Sequence, residues 1–158
     1  MVSPEKKLEE LGLELPETPS PLGAYVPCVR SGNLLFLSGM LPLRKGKLTR
    51  TGRVGAEVSV SDAQEDATQV VINALSIVKA ELGALEKVVR CVKVIGFIAS
   101  AADFVQQPAV LNAASELLLS IFGDRGRHAR VAVGVPVLPL NSPLEVEFIF
   151  EVTDKETA

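Results

Sequence analysis

The sequence predicts an α+β domain in which two amphipathic helices pack on one face of a mixed β-sheet. Three patterns carry that prediction. Apolar residues recur at helical spacing over 61–82 and again over 108–122. A β-branched, largely apolar run, VVRCVKVIGFIA at 88–99, lies between them and reads as an interior strand. Near the C-terminus, 129–137 and 144–152 change side-chain character at every residue, the signature of strands with two different faces. Elements of this kind settle into two layers, helices over sheet.

Taken in order, Ser3 and Pro4 read as an N-cap and a first-turn proline. They open a short helix with Leu8 and Leu11 on one face and Gly12 as its stop. The stretch Pro16 to Pro21 holds three prolines and reads as an extended linker. Residues 1–21 are therefore expected to be an N-terminal helix and linker, and 22–158 a single domain. Within 24–39, AYVPCV and NLLFLSG flank Arg30-Ser31-Gly32 and predict a hairpin. Residues 43–56, rich in Gly, Lys and Arg, read as a loop with room for a short edge strand.

Ser61 is the expected cap of the first main helix, and Asp62, Glu65 and Asp66 complement its positive end. Its stripe is Ala63, Ala67, Val70, Val71, Ala74, Leu75, Val78 and Leu82, and Gly83 ends it. Pro108 starts the second main helix, Leu111, Ala114, Leu118 and Ile121 lie in its stripe, and Gly123 closes it.

The chain has 158 residues, 16 Lys and Arg, 19 Asp and Glu, and a formal net charge of −3, which argues against a nucleic-acid binder. No run reaches the roughly 18–20 apolar residues that span a bilayer. The opening MVSPEKKLEELG has no apolar signal core, so a cytoplasmic protein is expected, with Cys28 and Cys91 as reduced thiols. A mean hydropathy of +0.31 points to surface buried between subunits.

The single histidine rules out HExxH-type zinc chemistry, and no phosphate-binding glycine loop or nucleophile elbow is present. Neither a metal nor a cofactor is expected. The last two strands are more informative. Val131, Val133, Val135 and Val137 share one face, and Arg130, Ala132, Gly134 and Pro136 the other. In the final strand Leu144, Val146, Phe148, Phe150 and Val152 oppose Glu145, Glu147 and Glu151. If both apolar faces cover the helices, Arg130 and Glu145 project together from the other side of the sheet. That small-residue side would then be left for subunit contacts.

Arg130 is the only charge between Ala129 and Leu140. A charge in an apolar strand needs a partner, since burying it alone costs several kcal/mol. Two readings stay open: a structural ion pair with Glu145 or Glu147, or a guanidinium fork for a carboxylate or phosphate ligand. Glu145 is either a solvated strand residue or a group that orients water and exchanges a proton. His128 shares the Arg130 face if the strand reaches that far, or else sits on the rim.

Three segments resemble the YjgF/RidA family, the reactive intermediate deaminases. GAYVPCVRSGNLLFLSG is similar to the family's G-P-Y-S-x-A-x-x-x-G-x-x-x-x-x-S-G, and ELGALEKVVRCVKV to its G-x-x-x-x-x-V-x-K-x-x-V. HARV and LEVE match a P-A-R-S arginine and an acidic residue fifteen positions later, here Arg130 and Glu145. The resemblance runs from about Gly23 to Val152. It implies a chorismate-mutase-like fold and a homotrimer with ligand clefts between subunits. It also implies hydrolysis of short 2-imino acids to 2-keto acids and ammonia. Arg130 would hold the substrate carboxylate and Glu145 position or activate the water. Backbone near Ala132 would assist, Tyr25 would line the cleft, and Asn112 would match a family asparagine in the second main helix.

The sequence also departs from the pattern. His128 replaces the proline, Val131 the serine, and Ala132 a cysteine that deaminating members often carry. Val26 replaces the serine after the tyrosine, the segment around QQPAVLNAASELL is longer than usual, and the N-terminal helix is extra. A divergent subgroup follows, with a non-catalytic carboxylate-binding or regulatory trimer as the alternative to an enzyme.

Overall fold

The computed structural model describes residues 2–18 and 24–154. Its elements are α1 (Pro4–Glu10), β1 (Cys28–Ser31), β2 (Leu34–Leu37), α2 (Val60–Leu82), β3 (Val88–Ala99), α3 (Gln107–Phe122), β4 (Ala129–Val135) and β5 (Leu144–Val152). The strands form one mixed sheet in the order β1-β2-β5-β3-β4, with β3 and β4 parallel and the other pairs antiparallel. The expected α+β architecture is present.

Local chemistry accounts for the helix ends. The Ser3 side chain accepts the Lys6 N–H at 3.2 Å, and Pro4 follows in the first turn of α1. The cap of α2 is Ser59, whose hydroxyl accepts the Asp62 N–H at 3.0 Å. The sequence pointed to Ser61, but Ser59 keeps the extended backbone a cap needs, while Ser61 lies inside the first turn. Gly83 closes α2 with φ 85°, a conformation a side chain would oppose.

Leu35, Val94, Ile98, Leu111, Leu118, Phe148 and Phe150 are almost completely buried between sheet and helices. The hairpin is shorter than expected: Arg30 and Ser31, assigned to the turn, pair with Leu35 and Leu34, and Gly32 turns the chain with φ 60°. Between 43 and 56 an isolated Arg44–Lys47 bridge forms, and no strand is present among the described residues. Of the expected linker, residues 19–21 lie outside the described residues.

The main correction concerns β4. Its small-residue face, not its valine face, meets the helices. Arg130 pairs with Val94, Ala132 with Gly96 and Gly134 with Ile98, and Val94 and Ile98 are fully buried. Helix α3 comes down so closely that a Cβ on Gly96 would lie 2.6 Å from a Leu111 methyl carbon, and one on Gly134 2.7 Å from Gln107 Nε2. Only small residues fit there. Val131 and Val133 consequently face the opposite, open side of the sheet, 39% and 40% exposed.

Candidate functional site

The flip of β4 changes what Arg130 touches. Its side chain rises on the helix side, where Nη1 donates to Asn112 Oδ1 at 2.9 Å and to Ser115 Oγ at 3.1 Å. Nη2 donates a longer bond to the Pro108 carbonyl at 3.5 Å. All three partners lie on α3, and all are neutral. Asn112 and Ser115 are three residues apart, hence on one helical face. Among the described residues no carboxylate pairs with Arg130, so the ion pair with Glu145 or Glu147 is not formed.

An arginine carries five N–H donors. Two are taken by Asn112 and Ser115 and a third by Pro108. The Nε–H and one Nη2–H remain without a partner among the described residues. The Nε–H and the Nη2–H beside it are parallel donors on one edge of the guanidinium plane, the geometry a carboxylate accepts in two bonds, and Nη2 is otherwise held only by the long Pro108 bond.

His128 stands behind this arrangement. Its Nδ1 lies 2.6 Å from the Gly126 carbonyl, so Nδ1 carries the hydrogen and donates it. Nε2 is then the acceptor for the Ser115 hydroxyl at 2.9 Å. Burial lowers the His128 pKa below the usual imidazole value; the Gly126 carbonyl opposes the shift and the Arg130 charge adds to it. The ring is neutral at pH 7 and both nitrogens are occupied. Ala132 is half-buried on the same side of the sheet, opposite Gly96.

Glu145 lies elsewhere. It pairs with Phe97, which pairs with Val133, and all three lie on the open face. Register therefore puts Arg130 and Glu145 on opposite faces, two strands over and three residues along, with Cα atoms about 14 Å apart. The expected projection from one side is overturned, because it assumed that the valine face of β4 covers the helices.

Glu145 has its own surroundings. Burial raises its pKa, and Glu147 raises it further. The carboxylate is packed against Gly39, where any Cβ would overlap it. The Ser38 hydroxyl donates to the Val26 carbonyl at 2.7 Å, and the Ser38 N–H to the Pro27 carbonyl at 2.9 Å. These bonds fasten the segment carrying Tyr25, 52% exposed, to the segment that lies on Glu145.

One chain thus holds two separate clusters: Arg130 with Asn112, Ser115 and His128, and Glu145 with Gly39, Ser38 and the Tyr25 segment. Clefts of about 480 and 630 Å³ elsewhere on the surface are lined by neither Arg130 nor Glu145. Sequence reasoning missed Ser115 and Gly39. Helical spacing from Asn112 could have indicated Ser115; nothing local indicates that Gly39 meets a residue more than a hundred positions away.

Comparison with known proteins agrees with the motifs. The family described as "YjgF/chorismate_mutase-like, putative endoribonuclease" matches residues 5–152, a span that takes in all of α1 but its first residue. Protein TCP17 of Trypanosoma cruzi is 40% identical over 148 residues, 93% of this chain and 92% of that one. A 2-iminobutanoate/2-iminopropanoate deaminase of Dermatophagoides farinae is 32% identical over 137 residues, covering 87% and 92%. Among solved structures, an Agrobacterium tumefaciens protein of unknown function superposes with a TM-score of 0.87 at 45% identity, covering 96% and 92% of the two chains. A Shewanella oneidensis MR-1 structure with an endoribonuclease description gives a TM-score of 0.92 at 36% identity, covering 96% and 100%. The order of the motifs, the mixed sheet under two helices and these relatives together place the chain in the YjgF/RidA family.

Proposed function

We propose that the protein hydrolyses short 2-imino acids to 2-keto acids and ammonia at sites shared between copies of the chain, three copies closing a ring. The observation that carries this reading is the guanidinium of Arg130: held by neutral groups of α3, it leaves two parallel donors for a carboxylate.

The separation of the two clusters supports a shared site. About 14 Å and a sheet lie between Arg130 and Glu145 of one chain, too far for one short substrate. A head-to-tail contact brings the Arg130 cluster of one copy to the Glu145 cluster of the next, and contacts of that kind generate rings when the rotation closes. The open face, with exposed Val29, Phe36, Val131 and Val133, supplies apolar surface for it.

In the shared cleft Arg130 binds the substrate carboxylate in two charge-assisted bonds. The protonated imine carbon is already electrophilic. Glu145, its pKa raised by burial and by Glu147, takes a proton from water as the oxygen attacks carbon and the C=N π pair moves to nitrogen. The same carboxyl returns the proton to nitrogen, the C–N bond breaks as ammonia leaves, and the hydroxyl proton passes to the departing ammonia through the Glu145 carboxylate, giving the ketone and ammonium. Backbone near Ala132 and the ring of Tyr25 line the cleft. Position and orientation supply most of the acceleration, without metal or cofactor.

The test uses 2-iminobutanoate generated in situ, with semicarbazide competing for the imine. The wild type accelerates keto-acid release, and Arg130→Ala abolishes the acceleration. Equal rates for both sink the proposal. Saturable 2-ketobutyrate binding without acceleration leaves the alternative, a carboxylate-binding regulatory trimer, which Ala132 favours by standing where deaminating members carry cysteine. RNA cleavage fits least, because the only histidine has both ring nitrogens engaged.

A further inference from the structure

Arg130 is the last link of a directed chain of hydrogen bonds, and the order of donors fixes every hydrogen in it. The Gly126 carbonyl can only accept, so His128 Nδ1 donates across 2.6 Å. A neutral imidazole has one hydrogen, so Nε2 accepts, and the Ser115 hydroxyl donates to it across 2.9 Å. With its hydrogen committed, Ser115 Oγ presents lone pairs, and Arg130 Nη1 donates to it across 3.1 Å. Asn112 Oδ1 takes the other Nη1 hydrogen at 2.9 Å.

Each step depends on the one before. Without His128, nothing holds the Ser115 hydroxyl away from Arg130. Without Ser115, Nη1 keeps one anchor, and the guanidinium can swing about the Asn112 bond.

We infer that His128 and Ser115 are positioning residues that act on the ligand through Arg130, aiming its free Nε–Nη2 edge into the cleft. The inference rests on the reading of Arg130 as carboxylate anchor. It assigns roles to Ser115, which the sequence did not single out, and to His128, which the sequence left between the Arg130 face and the rim. His128 touches no ligand in this reading. Both its nitrogens face protein, and it is half-buried between α3 and the 123–126 turn. Among the charged groups on the surrounding elements, Arg130 acts on its ring, while Asp124 is engaged with Arg127 at 3.0 Å.

The experiment measures 2-ketobutyrate affinity calorimetrically at pH 7.5 for the wild type, Arg130→Ala, Ser115→Ala, Ser115→Thr, His128→Leu and His128→Gln. One lost hydrogen bond corresponds to about 2- to 12-fold. Ser115→Ala and His128→Leu are expected to weaken binding about 5-fold. Ser115→Thr keeps the hydroxyl, His128→Gln keeps an acceptor, and both should return to within about 2-fold of wild type. A merely structural role would not be rescued this way. Full affinity in Ser115→Ala or His128→Leu, with Arg130→Ala still defective, overturns the relay and leaves the anchor intact.

No saturable binding to the wild type, or unchanged binding to Arg130→Ala, overturns the anchor instead. The relay then has a readout free of ligand. The nitrogen resonances of the single imidazole in wild type must show the hydrogen on Nδ1, and a hydrogen on Nε2 overturns it.

Discussion

Gly39 decides where the Glu145 carboxylate can be, which makes Gly39→Ala a sharp perturbation. An added Cβ would overlap Oε1 and lie 3.0 Å from Cδ and 3.3 Å from Cγ of Glu145. The backbone of Gly39 is not in a left-handed conformation, so alanine is not strained there. The end of a flexible side chain gives way more readily than backbone. The carboxylate therefore moves by about 1 Å or more, and stability changes by less than about 1 kcal/mol. A displacement of that size at a reacting group costs about 100-fold in rate. Because Arg130 belongs to the other cluster, 2-ketobutyrate affinity should stay within about 2-fold of wild type.

The assay is semicarbazide-competed hydrolysis of 2-iminobutanoate, beside urea unfolding and calorimetric binding. Gly39→Ala should lower kcat about 100-fold with unfolding nearly unchanged. In a Glu145→Gln background it should add nothing, since the group it displaces is already disabled. Retained kcat in the single variant, or a further large drop in the double variant, refutes the reasoning.

Other expectations concern stability and assembly. Asp66 is buried against Arg50 at 3.4 Å with Oδ2 unbonded among the described residues, and burial pushes its pKa up to about 6 against the pull of Arg50 and Arg44. The unfolded chain releases that proton near pH 3.9, so the folded state binds more protons between about pH 4 and 6, and stability falls as pH rises through that window. Asp66→Asn should be neutral in urea unfolding at pH 4 and raise stability by about 1–2 kcal/mol at pH 7.5, less than the full shift because the carboxyl lies just beneath the surface; destabilisation at both pH values refutes it. Gly126→Ala would place a Cβ 2.6 Å from the Leu118 carbonyl carbon and 2.9 Å from the Leu119 nitrogen, so Tm should drop by an amount equivalent to more than about 2 kcal/mol; an unchanged Tm counts against that packing. Val133→Glu, on the open face, should leave the single chain folded and convert the proposed trimer to smaller species in sedimentation; an unchanged sedimentation coefficient argues that this face is not the contact.

Period alone made the elements legible. The 88–99 strand and the 144–152 strand appear with the bounds their residues suggest, because β-branched runs and strict alternation leave little choice. Capping was less legible. Ser59 and Ser61 are chemically alike, and only the chain direction entering α2 selects Ser59. The facing of β4 was not legible at all. Four valines look like a core face, yet α3 approaches so closely that only Ala132 and Gly134 fit beneath it. The same error placed Arg130 beside Glu145.

The sequence by itself determined the two helices, the strands, the family motifs and the presence of one unusual arginine. These depend on local period and on residue identity, which any short window retains. Which face of β4 meets the helices, and which α3 groups hold Arg130, depended on distances between segments far apart in the chain. Register and helix approach set those distances, and both are outcomes of packing the whole core. The arginine was visible in the sequence; its aim was decided only when α3 settled over β4.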